Sequence, residues 1–265
     1  MSYETLRVSR DERGVVALTL NRPEKRNAMT AAMIAELTDF AAKANADDTI
    51  RAIVLSGNGP LFCAGGDLSW MMAQIEADRE TRKWEARKLA HMLRALNELR
   101  APLIGKIHGA AFGGGIGLAC VCDVAIASDE TKFGFTETKL GIIPATIAPY
   151  VLARMGEASA RRVFMSARIF QSEEAKHLGL IKAAVAASEL DAAVEFEIAP
   201  YLNVAPKAVG RAKALASSLG NKIDDSVIEA SIHQLADAWE TDEAKEGIAA
   251  FLEKRQPRWV KETGG

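Results

Sequence analysis

Residues 102–150 of the chain read PLIGKIHGAAFGGGIGLACVCDVAIASDETKFGFTETKLGIIPATIAPY, and the reading of this stretch decides the architecture. An apolar run, Leu103 to Ile107, enters a glycine-dense turn. Small and apolar residues follow from Ile116 to Cys122, and a second apolar run covers Val124 to Ala127. That succession is strand, glycine-rich turn, short helix, strand. Gly113, Gly114 and Gly115 stand where the helix begins. The first N–H groups of a helix have no intrahelical partner and carry the positive end of its dipole, and glycine lets a ligand oxygen come close to them. The turn is therefore a candidate trap for a negative oxygen. Glu137 follows downstream, near Gly134 and Gly141, with Phe133 and Phe135 beside it. Alone, three consecutive glycines are more often a crowded contact between helix and sheet, and a lone glutamate is more often solvated. The rest of the chain changes that balance.

The same unit occurs upstream. Ala52 to Leu55 is a strand that runs into the turn Ser56-Gly57-Asn58-Gly59-Pro60 and then Leu61-Phe62-Cys63-Ala64-Gly65-Gly66-Asp67-Leu68. A helical run from Leu68 to Ile75 follows, with Asp67 placed where an acidic side chain suits a helix N-terminus. Should the two strands be sheet neighbours, both helix N-termini face one region. Two converging backbone donors are what an oxyanion needs; two ordinary strand–helix connections are the alternative. Val15 to Leu20 is an earlier strand, ended by Asn21-Arg22-Pro23. Met29, Met33, Ile34, Leu37 and Phe40 have helical spacing, with Thr30 or Asn27 near the N-cap. Trp84 to Leu99 is a long amphipathic helix. After Pro149 helices dominate: Tyr150 to Met155, Ala158 to Met165, a helix capped by Ser172, a short strand Leu180 to Val185, Ala192 to Leu202, Pro206 (at N1) to Leu219, Ile223 to Trp239, and Asp242 to Phe251.

Composition bounds the function. The chain has 265 residues, 49% hydrophobic and 26% charged, with a net charge of -2. These are values of a globular protein and give no footprint for nucleic acid or an anionic membrane. The first residues lack the apolar core of a signal peptide, and no apolar run is long enough to span a bilayer. The 3 cysteines, Cys63, Cys120 and Cys122, read as buried free thiols of a reducing compartment. A cytoplasmic location is expected. No paired His, Cys or carboxylate stands at metal-ligand spacing, and no Gly-x-Ser-x-Gly nucleophile elbow occurs.

At these residues the chain resembles the crotonase superfamily, the enoyl-CoA hydratase/isomerase family. The resemblance rests on Asn21-Arg22-Pro23 with Asn27-Ala28, on Phe62 to Leu68, and on Ile107-His108-Gly109 to Gly115 with Cys122-Asp123. It continues through Phe133-Gly134, Glu137, Leu140-Gly141 and Pro144, and ends on Phe251 to Arg255 with Pro257 and Trp259. It implies an α/β fold, the crotonase (ClpP-like) spiral of ββα units with a C-terminal helical region. Residues 1–200 would form the catalytic core and residues 201–265 the helical trimerisation region, in homotrimers or homohexamers. The substrate would be an acyl-CoA thioester, so coenzyme A belongs to the substrate and no separate cofactor is expected. The N–H groups of Gly66 and Gly114 would form the oxyanion hole, with Glu137 as the catalytic acid and base. Gly65, Gly66, Asp67, Leu68, Gly113 and Gly114 would line the substrate. Arg26, Ala28 and Ala64 would hold the adenine end of coenzyme A, Lys254 would reach a phosphate, and Trp70, Met71 and Met72 would flank the acyl pocket.

One position departs from the pattern. Family hydratases commonly carry a second glutamate where this chain has Gly117. Three residues beyond Gly114 on a helix, position 117 would face the site, so a glutamate there is expected to be tolerated and to project toward substrate. Pro144-Ala145-Thr146-Ile147 resembles bacterial hydratases acting on methylglutaconyl-CoA in leucine breakdown or carboxygeranoyl-CoA in terpene breakdown, which also lack that glutamate. The leading expectation is an enoyl-CoA hydratase, a carbon–oxygen lyase. The alternatives are a double-bond isomerase using the same glutamate, and a CoA-binding homologue without turnover.

Overall fold

The computed structural model describes residues 3–261. The strands are β1 Leu6–Arg10, β2 Val15–Leu20, β3 Ala52–Gly57, β4 Leu103–Ile107, β5 Ala110–Phe112, β6 Val124–Ser128, β7 Lys132–Gly134, β8 Phe170–Gln171 and β9 Ala183–Val185. The helices are α1 Ala31–Ala46, α2 Leu68–Glu76, α3 Arg79–Asn97, α4 Gly114–Cys120, α5 Ala148–Phe164, α6 Ser172–His177, α7 Leu190–Ile198, α8 Pro206–Leu219, α9 Asp225–Trp239 and α10 Asp242–Leu252.

Among the described residues a 6-stranded sheet has the order β1-β2-β3-β4-β6-β9, and a 3-stranded sheet has the order β5-β7-β8. From β2 onward the larger sheet is parallel. Parallel neighbours need crossovers, and those crossovers carry the helices. β3 and β4 pair directly, Ile53 against Leu103, so the two glycine-rich turns leave the same edge of the sheet. The smaller sheet turns this layer into a spiral. After β3 the chain runs through Cys63, which bridges Ala111 of β5, and then into α2. After β4 come β5 and α4. After β6 come β7 and the 3-10 helix Glu137–Leu140. The second and third rounds each add one strand to each layer before turning helical, and the first adds only the bridging Cys63 to the smaller one, which makes the expected ββα spiral.

The apolar face of α1 buries Met33, Ile34, Leu37 and Phe40, each contributing roughly 1.5–3 kcal/mol through area removed from water. Its start is fixed by Thr30, whose Oγ1 accepts from the Met33 N–H at 3.2 Å. The chain ends in α8, α9 and α10. α9 lays Ile228 and Ile232 on Ala86 and Ala90 of α3, and α10 lays Ala244 and Ile248 on Ile142.

The structure departs from sequence expectation at several elements. β1 and β5 lie outside the strands expected from sequence, although Leu6-Arg7-Val8-Ser9 of β1 does alternate apolar and polar; β5, only three residues long, exists because the Cys63 N–H donates to the Ala110 carbonyl at 3.1 Å and β7 pairs on its other side. α3 starts at Arg79, earlier than Trp84, because Asp78 caps it through the Thr81 N–H at 2.8 Å. The two helices expected between Tyr150 and Met165 do meet at a break: Gly156, with φ 73° and ψ 159°, is non-helical and separates them. Ser172 is no cap: its Oγ donates to the Ser128 carbonyl at 2.6 Å and ties α6 to the end of β6.

Candidate active site

Register brings the site together. In the smaller layer Cys63 stands beside Ala111, and Phe112 beside Gly134, all running in parallel. The segments that follow, 64–66, 113–114 and 135–137, therefore emerge at one end of that layer. Close packing holds them there. The Phe112 N–H donates to the Cys63 carbonyl at 3.0 Å, and the Gly113 N–H donates to the Gly134 carbonyl at 3.1 Å. A Cβ at Gly115 would stand 2.7 Å from the Cys63 carbonyl oxygen, so the first loop touches the backbone of α4. Gly113 has φ 48° and ψ -116°, a conformation that only glycine adopts without strain. The triplet is thus both a crowded contact and a presented helix end. The N–H groups of Gly66 and Gly114 donate to no acceptor among the described residues.

Glu137 stands against the Gly113 turn and borders the same cavity as Gly66 and Gly114. Its Oε1 lies 2.9 Å from the point a Cβ on Gly113 would occupy. Its Oε2 is shut off from solvent and has no hydrogen-bond partner among the described residues. Burial pushes the carboxyl from its ordinary 4.5 up to about 7, opposed only by a backbone N–H. The segment is held from both sides. Phe135 packs on Phe164 with ring centroids 4.6 Å apart, and the Ile142 N–H donates to the Glu137 carbonyl at 3.2 Å. A buried carboxyl poised near neutrality, on the same cavity as two unused amides, is suited to moving protons while negative charge gathers on a nearby oxygen.

A cavity of about 530 Å³ opens at this point. Arg26, Ala64, Gly65, Gly66, Gly113 and Gly114 border it, as do Glu137, Trp70 and Met71. Arg26 is exposed in a left-handed turn and its carbonyl accepts from the Ala64 N–H at 3.0 Å. Ala28, Asp67, Leu68, Met72 and Lys254 do not border the cavity. The Ala28 carbonyl accepts from Arg22 at 2.7 Å. Asp67 caps α2 through the Ser69 N–H at 3.0 Å and pairs with Arg22 at 3.0 Å. Burial would raise the Asp67 carboxyl, but the Arg22 guanidinium and the Ser69 N–H outweigh it and hold it below the ordinary range. Leu68 and Met72 are on the outer face of α2, and Lys254 lies beyond the end of α10.

The expectation for Gly117 is overturned. A Cβ there would stand 2.5 Å from Cγ2 of Ile147 and 3.6 Å from Cδ2 of Leu93. Gly117 is buried in the seam between α4 and the segment before α5, with Ile147 between it and the cavity. A glutamate would overpack this seam and bury an unpaired carboxylate, two penalties that act together. Gly117→Glu is expected to lower stability by about 3 kcal/mol or more, read as a fall in the midpoint of chemical denaturation. An unchanged midpoint would mean that Ile147 yields and that the site accepts a second acid.

The sequence did not point to the walls supplied from afar. Leu89 of α3, Ile232 and Trp239 of α9, and Phe251 of α10 border the cavity. So do Gln74 and Arg82, at the end of α2 and the start of α3. Helical periodicity showed which faces of these helices are apolar, and nothing local shows which of those faces meets a cavity. Among the bordering residues Glu137 is the sole carboxylate. Among the described residues no three His, Cys, Asp or Glu side chains gather so as to hold a metal ion, and no helix is long and apolar enough to cross a membrane.

Residues 10–262 match the family model described as Enoyl-CoA hydratase/isomerase. A crotonyl-CoA hydratase of Syntrophomonas wolfei is 32% identical over 266 residues, covering 98% of this chain and 99% of that protein. The crystal structure of an enoyl-CoA hydratase from Mycobacterium avium superposes with a TM-score of 0.84 at 30% identity, over 97% of this chain and 99% of the other. Pseudomonas aeruginosa AtuE superposes with a TM-score of 0.79 at 38% identity, over 97% and 100%.

Proposed function

Since the chain belongs to the enoyl-CoA hydratase/isomerase family, we propose that it adds water across the 2,3 double bond of an enoyl-CoA thioester, with Glu137 as the only acid–base group. The observation that carries this reading is the partnerless Oε2 of Glu137, on the same cavity as the unused N–H groups of Gly66 and Gly114. The thioester oxygen accepts from both amides. The Glu137 carboxylate takes a proton from water as the hydroxyl oxygen bonds to C3, and the electron pair of the double bond moves onto C2 and the thioester oxygen. Glu137 then returns the proton to C2 on the same face, giving syn addition. Two fixed donors stabilise the enolate without rearranging as charge develops, each contributing about 3 kcal/mol.

The finer part of the proposal is a branched acyl group, methylglutaconyl-CoA-like. It is supported by the size of the cavity, about 530 Å³, whose lining includes Trp239 and Leu89 as well as Glu137. Assembly into trimers or hexamers is supported by α8: none of its residues is buried, and Leu215 and Leu219 are exposed.

A single carboxylate also suits moving a double bond between carbons, and the sole-carboxylate lining favours that as the second reading. Turnover in oxygen-18 water with mass analysis separates the two. Hydration gives a hydroxyacyl-CoA carrying the label; an unlabelled, shifted enoyl-CoA would replace the hydratase reading with the isomerase one. The hydration cycle begins with Glu137 ionised, so kcat/KM is expected to rise about tenfold per pH unit below about 7 and to level off above it.

A further inference from the structure

A water molecule held only by Glu137 swings freely about that one hydrogen bond, and few of its orientations aim a lone pair at C3. A second anchor would fix the geometry of attack. Glu137 is the sole carboxylate bordering the cavity, so the second anchor has to be neutral. Thr146 borders the cavity and is only 6% exposed. Its Oγ1 makes no hydrogen bond among the described residues, yet it is not one of the partnerless atoms sealed inside the protein. The open space it meets is therefore that of the cavity. A buried hydroxyl without a protein partner is costly unless water or a ligand satisfies it. The packing of α4 places Thr146 relative to Glu137. Oε1 of Glu137 lies 2.9 Å from the point a Cβ on Gly113 would occupy, and Cγ2 of Ile147 lies 2.5 Å from the corresponding point on Gly117. The Gly117 N–H donates to the Gly113 carbonyl at 3.2 Å, so these two glycines are one helical turn apart. Glu137 and the residue after Thr146 thus rest against the first turn of α4, at positions roughly 6 Å apart along its axis. The chain between them is folded back on itself: the Ile142 N–H donates to the Glu137 carbonyl at 3.2 Å, and the Ala145 N–H to the Ile143 carbonyl at 2.8 Å.

We propose that the Thr146 hydroxyl is the second anchor of the attacking water, and so a catalytic residue beside Glu137. The inference rests on the hydratase reading and adds to it the group that orients the nucleophile. One proton of the water goes to the Glu137 carboxylate as the oxygen bonds to C3. The other is donated in a hydrogen bond to Thr146 Oγ1 and stays on the oxygen as the proton of the product hydroxyl. A hydroxyl has acceptor lone pairs for this and one proton of its own to donate, and it carries no charge. It therefore holds the water without a second carboxylate raising the affinity of Glu137 for its proton. The Ile147 side chain, wedged between α4 and the cavity, fixes the backbone from which Thr146 reaches the water. Thr136 also borders the cavity and precedes Glu137 in the chain. It is half-buried rather than buried, so bulk water can satisfy its hydroxyl, and it serves as the comparison.

The test follows hydration of crotonyl-CoA or methylglutaconyl-CoA, whichever the wild type turns over faster. It is paired with exchange of the C2 protons of butyryl-CoA in deuterium oxide, which uses Glu137 and the amides but no attacking water. Thr146→Val is expected to lower kcat for hydration about 30- to 100-fold with KM little changed. It should leave C2 exchange within about threefold of wild type and keep the rise of kcat/KM toward pH 7. Thr146→Ser, which keeps the hydroxyl, should stay within about fivefold of wild type, and Thr136→Val within about threefold. Where Thr146→Val does not fold, Thr146→Ala set against Thr146→Ser makes the same comparison. Hydration by the valine or alanine variant within threefold of the serine variant overturns the proposal. So does a loss of C2 exchange as large as the loss of hydration, which would make Thr146 only a support for Glu137. A wild type that hydrates no enoyl-CoA overturns the proposal together with the hydratase reading, whereas hydration insensitive to the variants removes the Thr146 role alone.

Discussion

Glutamine at position 137 is expected to lower turnover about 10³-fold while leaving acyl-CoA binding in place. Glu137 is the sole carboxylate bordering the cavity, so no other side chain there is available to take over the proton. The same substitution is expected to stabilise the ligand-free protein at alkaline pH. Burial raises the Glu137 carboxyl from 4.5 to about 7. A raised carboxyl favours the folded state while it is protonated, below its unfolded value. That contribution is lost as pH rises through about 7, where folding requires a buried negative charge. Glutamine keeps the shape and never ionises. Wild type and variant should therefore unfold alike at pH 4 to 5. At pH 8 the variant should be more stable by roughly 3 kcal/mol, at about 1.4 kcal/mol per pKa unit. Thermal denaturation across this pH range tests the burial independently of any substrate. Parallel stability curves would mean that the carboxyl is solvated in the ligand-free protein, and wild-type turnover would remove Glu137 from the mechanism.

Proline at position 114 is expected to cost 10²–10³-fold in kcat by deleting one oxyanion donor. The design has to separate that loss from crowding. Any Cβ at position 114 would run into the Met29 methyl group, and a residue preceding proline is pushed toward extended backbone, away from the ψ of -116° at Gly113. The comparison is therefore made in a Met29→Ala background, between Gly114→Ala and Gly114→Pro. Alanine adds the same Cβ and keeps the N–H; proline lacks the N–H. The readouts are kcat and the affinity for an enolate-like thioester analogue relative to coenzyme A alone. Proline should lose analogue affinity selectively. If alanine and proline lose equally, or if plain coenzyme A is lost as strongly as the analogue, the Gly114 amide is not the oxyanion donor.

These two experiments probe different kinds of information. The glycine loops and Glu137 stood out in the sequence. Residues 62–68 and 107–115 carry a repeated local pattern, a strand entering glycine and then a helix start, and each part of it follows from backbone chemistry within a few residues. The caps at Thr30 and Asp67 and the Pro206 start of α8 were legible for the same reason. The family resemblance then gave Glu137 and the two amides their roles.

Only the tertiary structure decided how those parts act. The proximity of Glu137 to Gly113 depends on the pairing of Phe112 with Gly134, within a layer whose short strands have no periodic signal. The elevated acidity range of Glu137 depends on what excludes water from its carboxyl, and that comes from distant segments. Gly117 looked open to a glutamate because helical spacing alone places it near Gly114; Ile147, thirty residues on, fills the space. Arg82, Gln74 and Trp239 looked like ordinary helix residues. Periodicity reports that a helix has a face to bury, while the partner of that face is fixed by the chain's path through the whole fold. The sequence by itself determined the alternation of elements and the chemistry available to the site, because those depend on neighbours along the chain. Tertiary structure decided the acidity of the glutamate, the closed seat at position 117 and the polar end of the cavity, because each depends on neighbours in space.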